Sequence, residues 1–476
     1  MALGSARLMS TDAKTSVDLW AASTFGSAEL PDARLNDRLV RIGAILAGHP
    51  TDSLPQACAN IAEAKAAYRF IENERVQVAL LQPAIVKATA RACAGKTEIL
   101  VVQDTTTFNY STLNKTSGLG PIGDSGCKAR GLLCHSALAI DTQGIPLGML
   151  HQKVWARDPL ERHKSERRTE LSIEDKESRK WLDGIQGARA AFTHILPAHR
   201  PRLIHVMDRE GDIHEVFQEI ADSPDGAVIR CMRNRVTGHP LRYAHQAVRD
   251  APLLGTTVVD VPRKPGHPKR KASVELRACR VRLTPDASKY PERKALELTL
   301  VEVWEAHPPA DAIEPLHWLL WTTQTVTTCI EAQAVVALYK FRWRIEDVHF
   351  SLKSGCGIEK LQLETAERLE KLITLFTPVA VRIVTLREQA RIQPDAPCTT
   401  VLSELEWRSL WTYLEKKRPA PTQAPPSLKQ ATLWIGRLGG HLGRKGDGMP
   451  GVRALWRGFR DLERFTRVFE ACDTFG

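Results

Sequence analysis

The chain has 476 residues, of which 43% are hydrophobic, enough for two or three cooperative cores. No stretch approaches the roughly 18 consecutive apolar residues of a membrane span, and the N-terminus lacks the apolar segment of a signal peptide, so we expect a cytoplasmic protein. The net charge of +11 favours a polyanionic partner such as nucleic acid, although a solvated basic surface would give the same charge. The ten cysteines form no CxxC pair, so neither a disulfide framework nor a structural zinc site is indicated.

The first part of the chain, residues 1–91, shows the three-and-four spacing of apolar residues that is typical of helices. We therefore predict a small helical N-terminal domain. Arg34, Arg38 and Arg41 recur at intervals of four and three, which puts them on one side of a helix. That basic side is suited to contact phosphates.

Two apolar segments further along the chain each lead into an aspartate. TEILVVQDTTT contains Asp104, and RLIHVMDREGD contains Asp208. Both segments have the β-branched, apolar composition of buried strands, and we expect Asp104 and Asp208 at the ends of those strands. Two more strands, LLCHSALAID and GIPLGMLHQKVW, and an exposed charged helix at 160–182 are predicted between them. The two acids are expected to converge at one edge of a sheet.

The segment from about 226 to 330 changes to the alternating pattern of β-strands and is predicted to be a β-rich insertion. It carries a basic loop in which five of the residues from Arg263 to Lys271 are Lys or Arg. This loop is either a DNA contact or a disordered, solvated hairpin tip, and its composition does not separate the two.

A helix near residue 340 carries Tyr339, Arg342, Glu346 and Lys353. At 100° per residue their side chains fall within roughly 60° of arc, on one stripe of a continuous helix. Such a stripe can hold a phosphate backbone while the carboxylate reaches a metal ion, although an exposed helix with an internal ion pair would have the same spacing.

Asp104, Asp208 and Glu346 together form a candidate metal centre. Three carboxylates from separate elements suit Mg²⁺, which prefers oxygen ligands, and no histidine or cysteine ligand is needed. We expect two Mg²⁺ ions, with Mn²⁺ able to substitute, and in-line displacement at phosphorus as the chemistry.

The spacing Y-x2-R-x3-E-x6-K, present here as YKFRWRIEDVHFSLK, is similar to the signature of the insertion-sequence-four family of DDE transposases. AYRFIENERV, VVQDTT, DREGDIH, GRLGG and RALW also resemble stretches of that family, in the same order. The resemblance covers nearly the whole chain.

This resemblance implies an α/β fold: a ribonuclease-H-like catalytic core with a β-rich insertion, flanked by helical N-terminal and C-terminal domains. The expected domains are a DNA-binding domain at 1–91, a catalytic core at 92–375 with the insertion at about 226–330, and a dimerisation domain at 376–476. Asp104, Asp208 and Glu346 match the catalytic, metal-binding carboxylates. In the C-terminal module, apolar positions such as Trp434 and Leu455 are candidates for the pairing surface.

The resemblance also implies a set of DNA-contacting residues. Tyr339, Arg342 and Lys353 match phosphate contacts, and Trp318 stands where the family stacks a flipped base. The full set of expected DNA-binding residues is Arg34, Arg38, Arg230, Trp318, Tyr339, Arg342, Trp343 and Lys353. Leu35 occupies a position where the family has a second adjacent arginine, so we expect recognition of a different end sequence.

The expected function is a bacterial transposase that binds transposon ends and target DNA. It would pair two ends as a homodimer, cleave them through a hairpin and join them to the target, with no role at a membrane. One alternative is a catalytically silent, transposase-derived regulator or inhibitor, against which the three carboxylates argue. Another is a nuclease of the same core fold, which would not need the C-terminal pairing module.

Overall fold

The computed structural model describes residues 16–123, 127–158, 171–261, 269–286, 288, 290–309, 314–444 and 447–475. Residues 263–268 of the expected basic loop lie outside this part of the chain. So do residues 160–170 of the exposed helix expected at 160–182. In the described remainder, a 3₁₀ turn spans Ile173–Asp175 and an α-helix begins at Arg179.

The described helices are, in chain order, α1 (Ser16–Phe25), α2 (Ala33–Gly48), α3 (Leu54–Ala57), α4 (Ile61–Glu72), α5 (Val78–Cys93), α6 (Arg179–Ala190), α7 (His214–Ala221), α8 (Ala244–Asp250), α9 (Cys329–Lys340), α10 (Trp343–Phe350), α11 (Ala366–Ile392), α12 (Glu404–Glu415), α13 (Leu428–Leu438) and α14 (Val452–Phe475). Helices α1 to α5 confirm the helical N-terminal region. None of the helices in the described residues is long and apolar enough to span a membrane.

The described strands are β1 (Glu98–Asn109), β2 (Gly120–Pro121), β3 (Arg130–Ile140), β4 (Pro146–Trp155), β5 (Arg202–Met207), β6 (Gly226–Arg230), β7 (Leu253–Val261), β8 (Arg270–Leu283), β9 (Leu296–Trp304) and β10 (His317–Thr322). They form one mixed sheet in the order β2-β3-β1-β5-β6-β10-β9-β8-β7, with β4 paired to β3. The expected α/β architecture with helical ends is confirmed.

Contacts divide the chain into two units. The sheet unit contains the described residues of 85–353 and 358–381, and the helical unit contains those of 1–84, 354–357 and 382–476. The N-terminal and C-terminal helices thus belong to one unit, although they are far apart in sequence. The three expected domain boundaries stay a prediction.

Strand β1 extends further than its sequence suggested. Its parallel pairing with β5 ends at Val102, but its antiparallel pairing with β3 continues to Asn109. Because β3 supplies hydrogen-bond partners along that length, the strand runs past Asp104. The expectation that Asp104 lies at the end of its strand is therefore wrong.

The strands of the expected β-rich insertion extend the sheet that contains β1. β6 pairs in parallel with β5, and β10 pairs antiparallel with β6 and then with β9. Side chains of α6, α7, β9 and β10 bury a common core on this half of the sheet, including Trp181, Phe217, Leu300 and Trp321. In the described part of the basic segment, Arg270 forms an ion pair with buried Glu305.

Glycines bring helices α13 and α14 into backbone contact within the helical unit. A Cβ on Gly458 would lie 1.8 Å from the Ile435 carbonyl oxygen, and one on Gly439 would lie 1.8 Å from that of Ala454. Gly439 belongs to the GRLGG stretch. Close helix packing therefore explains Gly439, whereas Gly440 has a positive φ of 92° and open space around it.

The apolar residues of the C-terminal module face the interior of the helical unit. Trp434, Leu455, Trp456 and Phe459 are buried. The Arg382 guanidinium lies 5.6 Å from the Phe459 ring centroid and 5.7 Å from that of Trp20, so it joins α14 to α1. The expectation that Trp434 and Leu455 form a pairing surface is wrong, because both pack inside their own chain.

Replacing Gly458 with alanine should destabilise the helical unit. The new Cβ would clash with backbone, which cannot rotate away as a side chain can, so the overpacking cost of about 1–3 kcal/mol should exceed the roughly 1 kcal/mol that alanine gains in helix propensity. We expect a lower melting temperature for Gly458→Ala and little change for Gly451→Ala, where no atom lies within 4 Å of the added Cβ. Equal melting temperatures for both variants would contradict the close approach of α13 and α14.

Candidate catalytic centre and DNA-binding surface

Asp104 and Asp208 occupy equivalent positions on neighbouring parallel strands. Val102 of β1 is paired with Val206 of β5, and each aspartate follows two residues later. Because side chains alternate along a strand and neighbouring strands lie about 4.8 Å apart, the two carboxylates share one face at one edge of the sheet. Burial raises the pKa of Asp208, and the charge of Asp104 raises it further.

Helix α10, which packs against β1, brings Glu346 to the same place. Burial raises the pKa of Glu346; Arg342 opposes that rise, whereas the charge of Asp104 adds to it. Asp104 therefore interacts with both other carboxylates. The structure brings the three acids expected from the sequence into one electrostatic cluster.

The donor set fits a hard divalent cation. All three groups are carboxylates, and the raised pKa values of Asp208 and Glu346 reflect the unfavourable energy of burying like charges together, which a cation would relieve. Among the described residues, no group of three or more Asp, Glu, His or Cys side chains is arranged as a complete metal site. Glu346 instead accepts a hydrogen bond from Arg342.

The expected continuous helical stripe is wrong, because the helix is interrupted between its members. The N–H groups of Phe341 and Arg342 donate to carbonyls three residues earlier, which separates α9 from α10, and residues 351–355 form a π-helical turn. The Phe341 ring packs closely on Gly144, and Arg344 donates to the Gly144 carbonyl at 3.3 Å. These contacts with a distant turn stabilise the interruption.

Tyr339, Arg342 and Arg230 form a cationic group beside the carboxylates. Tyr339 is buried, and burial raises the pKa of its hydroxyl. The neighbouring guanidinium groups of Arg342 and Arg230 lower that pKa, but by less. Arg230 ends β6, whose residue Ile229 pairs with Met207, so it lies at the same edge as Asp208. Its guanidinium donates to the His317 carbonyl at 3.1 Å.

Lys353 is placed further along β1. Its ammonium lies 6.0 Å from the centroid of the Phe108 ring. Phe108 is on the same face of β1 as Asp104, four residues later, which corresponds to about 13 Å along the strand. Lys353 thus lies beyond the carboxylate cluster along β1.

The two tryptophans expected to contact DNA lie at the edge of the sheet near these groups. Trp318, at the start of β10, is half-buried and meets the Tyr339 ring edge-on with centroids 5.3 Å apart. Trp343 is 52% exposed, and the Arg342 guanidinium lies 5.3 Å from its ring centroid. Neither indole belongs to the buried core that contains Trp321.

In the helical unit, α2 presents arginines on the side opposite its buried residues. Arg34 is highly exposed and pairs with the N-cap residue Asp32 at 3.1 Å. Arg38 is partly exposed, whereas Arg41 forms an ion pair with Glu63 at 2.8 Å. The amphipathic pattern is confirmed, and the contacts of Arg34 and Arg38 with DNA stay a prediction.

His349, which the sequence did not indicate as a site residue, is a buried neighbour of Asp104. Its Nδ1 lies 3.6 Å from the Asp104 Oδ2, and its Nε2 is buried without a hydrogen-bond partner in the described residues. His349 follows Glu346 by three residues, which puts it on the same face of α10. That spacing was the available signal, but it does not reveal the contact with β1.

The sequence also did not indicate a polar relay on the other face of β1, formed by Gln103, His135 and Thr105. The Gln103 Oε1 lies 3.0 Å from His135 Nε2, and His135 Nδ1 lies 2.9 Å from Thr105 Oγ1. Burial lowers the pKa of His135, which is therefore neutral near pH 7. The relay connects β1 to β3 immediately on both sides of Asp104.

Three protein families match this chain. The family described as Transposase DNA-binding matches residues 18–76, Transposase DDE domain matches 161–377, and Transposase Tn5 dimerisation domain matches 378–472. The DDE match includes Asp208 and Glu346 and begins after Asp104. The order of DNA-binding, DDE and dimerisation regions agrees with the order expected from the sequence motifs. The chain belongs to the insertion-sequence-four family of DDE transposases, of the Tn5 type, with a ribonuclease-H-like catalytic core.

Proposed function

We propose that this transposase is catalytically active and moves DNA by a cut-and-paste reaction in a bacterial cell. It binds the ends of a transposon, pairs two ends as a homodimer, cleaves them through a hairpin and joins them to target DNA. The observation that supports this activity is that the register of β1 and β5 puts Asp104 beside Asp208, while α10, which carries Glu346, packs against β1. A silent regulator would have no need to keep these three groups together at a cost in stability.

Asp104, Asp208 and Glu346 would hold two Mg²⁺ ions, for which Mn²⁺ can substitute. When bound, the ions supply an activated water or 3′ hydroxyl and stabilise the leaving oxygen. The protein's own groups position the DNA. Arg342 can bind a phosphate through two parallel hydrogen bonds, and its partial burial reduces the screening of its charge.

Neutral replacements of the three carboxylates should abolish cleavage and leave DNA binding intact. Asp104→Asn, Asp208→Asn and Glu346→Gln each remove a ligand, and we expect a loss of more than about 100-fold, since even outer-shell partners of metal ligands contribute 10–100-fold. The assay follows nicking of labelled duplexes that carry the inverted repeats flanking the gene, with binding measured in parallel.

Glu210→Gln is the matched control for the carboxylates, because Glu210 follows Asp208 by two residues but has an exposed side chain that pairs with Lys180. It should cleave at the wild-type rate. Cleavage retained by any of the other three variants removes that residue from the site. A wild-type protein that binds the ends and never cuts them would favour the silent regulator.

Arg342→Gln should reduce the salt dependence of DNA binding. If Arg342 neutralises one phosphate, the slope of log affinity against log salt falls by about one unit. Arg344→Gln is the control two residues later, since the Arg344 guanidinium contacts Asp347 and the Gly144 carbonyl. Fluorescence anisotropy over a salt series measures both. A slope unchanged by Arg342→Gln would place that guanidinium away from the DNA.

Trp318→Ala should spare the first nick and slow hairpin formation and opening. A sharp bend at the cut takes a base out of the stack at a cost of a few kcal/mol, and an indole can offset about 1–3 kcal/mol of it. Trp321→Ala is the matched control on the same strand, because Trp321 belongs to the buried core. Its loss should reduce the free energy of unfolding by about 3–5 kcal/mol. The rate of every step and the melting temperature should therefore fall together. If Trp318→Ala behaves like Trp321→Ala, the stacking role is wrong.

A further inference from the structure

The turn of residues 231–235, which follows β6, is fixed by one buried carboxylate. The Asp212 side chain is fully buried. Its Oδ2 accepts hydrogen bonds from the backbone N–H groups of Met232 and Arg233, at 2.7 and 3.0 Å. Its Oδ1 accepts from Arg235 Nε at 2.9 Å. One oxygen of Asp212 therefore holds the backbone of this turn, and the other holds the Arg235 side chain.

Other contacts of the same turn limit its movement. Arg235 also donates to the Asp212 carbonyl at 2.7 Å, and its guanidinium lies 5.6 Å from the centroid of the Phe217 ring. Asn234 accepts from the His245 N–H at 3.0 Å, which ties the turn to the start of α8. A buried charge costs free energy unless it is paired, and here the pairing partners are all parts of one turn.

The position of the turn relates it to the catalytic cluster. Asp212 follows Asp208 across the short 3₁₀ turn Arg209–Gly211. The turn of residues 231–235 begins directly after Arg230, the last residue of β6. The Cys231 N–H donates to the Leu319 carbonyl at 2.8 Å, which continues the pairing of β6 with β10. The turn therefore lies at the sheet edge that carries the carboxylates.

Arg233 is the cation that this turn presents to solvent. Its side chain is exposed, as are those of Met232 and Asn234 on either side. In the part of the chain that the structure describes, no carboxylate forms an ion pair with Arg233, whereas Arg235 is paired with Asp212. Because the backbone of the turn is already fixed, the binding of an anion by Arg233 has to order only the arginine side chain.

We propose that Arg233 binds a phosphate of the end DNA beside the cleavage site and that Asp212 is the positioning residue that holds it there. This inference rests on the proposed function, in which DNA lies across the carboxylate edge. The ligand is a phosphodiester of the duplex backbone, which a guanidinium binds through charge and directed hydrogen bonds. The contact is independent of base sequence.

The first test is the salt dependence of binding to a duplex that carries the flanking inverted repeat. Arg233→Gln should lower the slope of log affinity against log salt by about one unit, and Arg233→Lys should retain it. Arg282→Gln is the matched control, because Arg282 is an exposed arginine on β8, three strands from β6. A slope that Arg233→Gln leaves unchanged overturns the proposal.

The second test uses the sign of the effect at Asp212. Asp212→Asn makes the protein more positive, so simple charge attraction predicts tighter DNA binding. We expect weaker binding, because the turn loses its anchor, and we expect Arg233→Gln to add little further loss in the double variant. Tighter binding, or additive losses, would show that Asp212 does not act through Arg233. A melting curve identifies an unfolded Asp212→Asn protein, in which case Arg233→Gln decides alone.

The third test locates the contact. Neutral methylphosphonate groups are placed one at a time along the duplex. The substitution at the contacted phosphate should weaken binding of the wild-type protein and leave binding of the Arg233→Gln protein unchanged. An identical profile for both proteins contradicts the contact. If wild-type protein shows no salt-dependent binding to the duplex, the proposed function fails. If wild type binds and Arg342→Gln lowers the slope while Arg233→Gln does not, this inference alone fails.

Discussion

The parallel pairing of β1 with β5 is the constraint on which the catalytic edge depends. Its register puts Asp104 beside Asp208, and the next parallel strand, β6, delivers Arg230 to the same edge. Neighbouring strands leave about 4.8 Å between equivalent residues, so two carboxylates in this register must interact. Helix α10 adds Glu346 to a position that the strands have already defined. Backbone pairing thus places the two aspartates, and the packing of α10 on β1 completes the cluster.

The edge combines groups that oppose one another electrostatically. Asp208 and Glu346 have raised pKa values, whereas Arg342 is held beside Glu346 and carries its full charge. Such an arrangement is poorly satisfied by the protein itself, which is common where a site is shaped for charged ligands. Phosphate groups would match the arginines, and divalent cations would match the acids. The proposed function therefore assigns the arginines to the DNA backbone and the acids to its metal ions.

The elements that local sequence patterns specify were predicted correctly, whereas features that depend on contacts between distant residues were not. Apolar β-branched runs identified β1 and β5, and residue spacing identified the amphipathic helix α2. The interruption between α9 and α10 could not be read from spacing, because it depends on Gly144, which precedes Arg344 by 200 residues. The continuation of β1 past Asp104 depends on β3 in the same way. The sequence indicated the three acids as candidates because each belongs to a recognisable local pattern, whereas the contacts of His349 and Asp212 join elements that are apart in sequence.

The free-energy cost of burying Asp208 and Glu346 is offset by residues outside the carboxylate cluster. Because the pKa of Asp208 is raised in the folded chain, its ionised form is less stable there than in the unfolded chain, and this cost is present at neutral pH and disappears when acid protonates the group. The core around Trp181 and Trp321 offsets such costs by burying large apolar side chains. The relay from Gln103 through His135 keeps β1 fixed on both sides of Asp104. Rigid support behind the sheet thus offsets the free-energy cost of holding Asp208 and Glu346 close to the charge of Asp104.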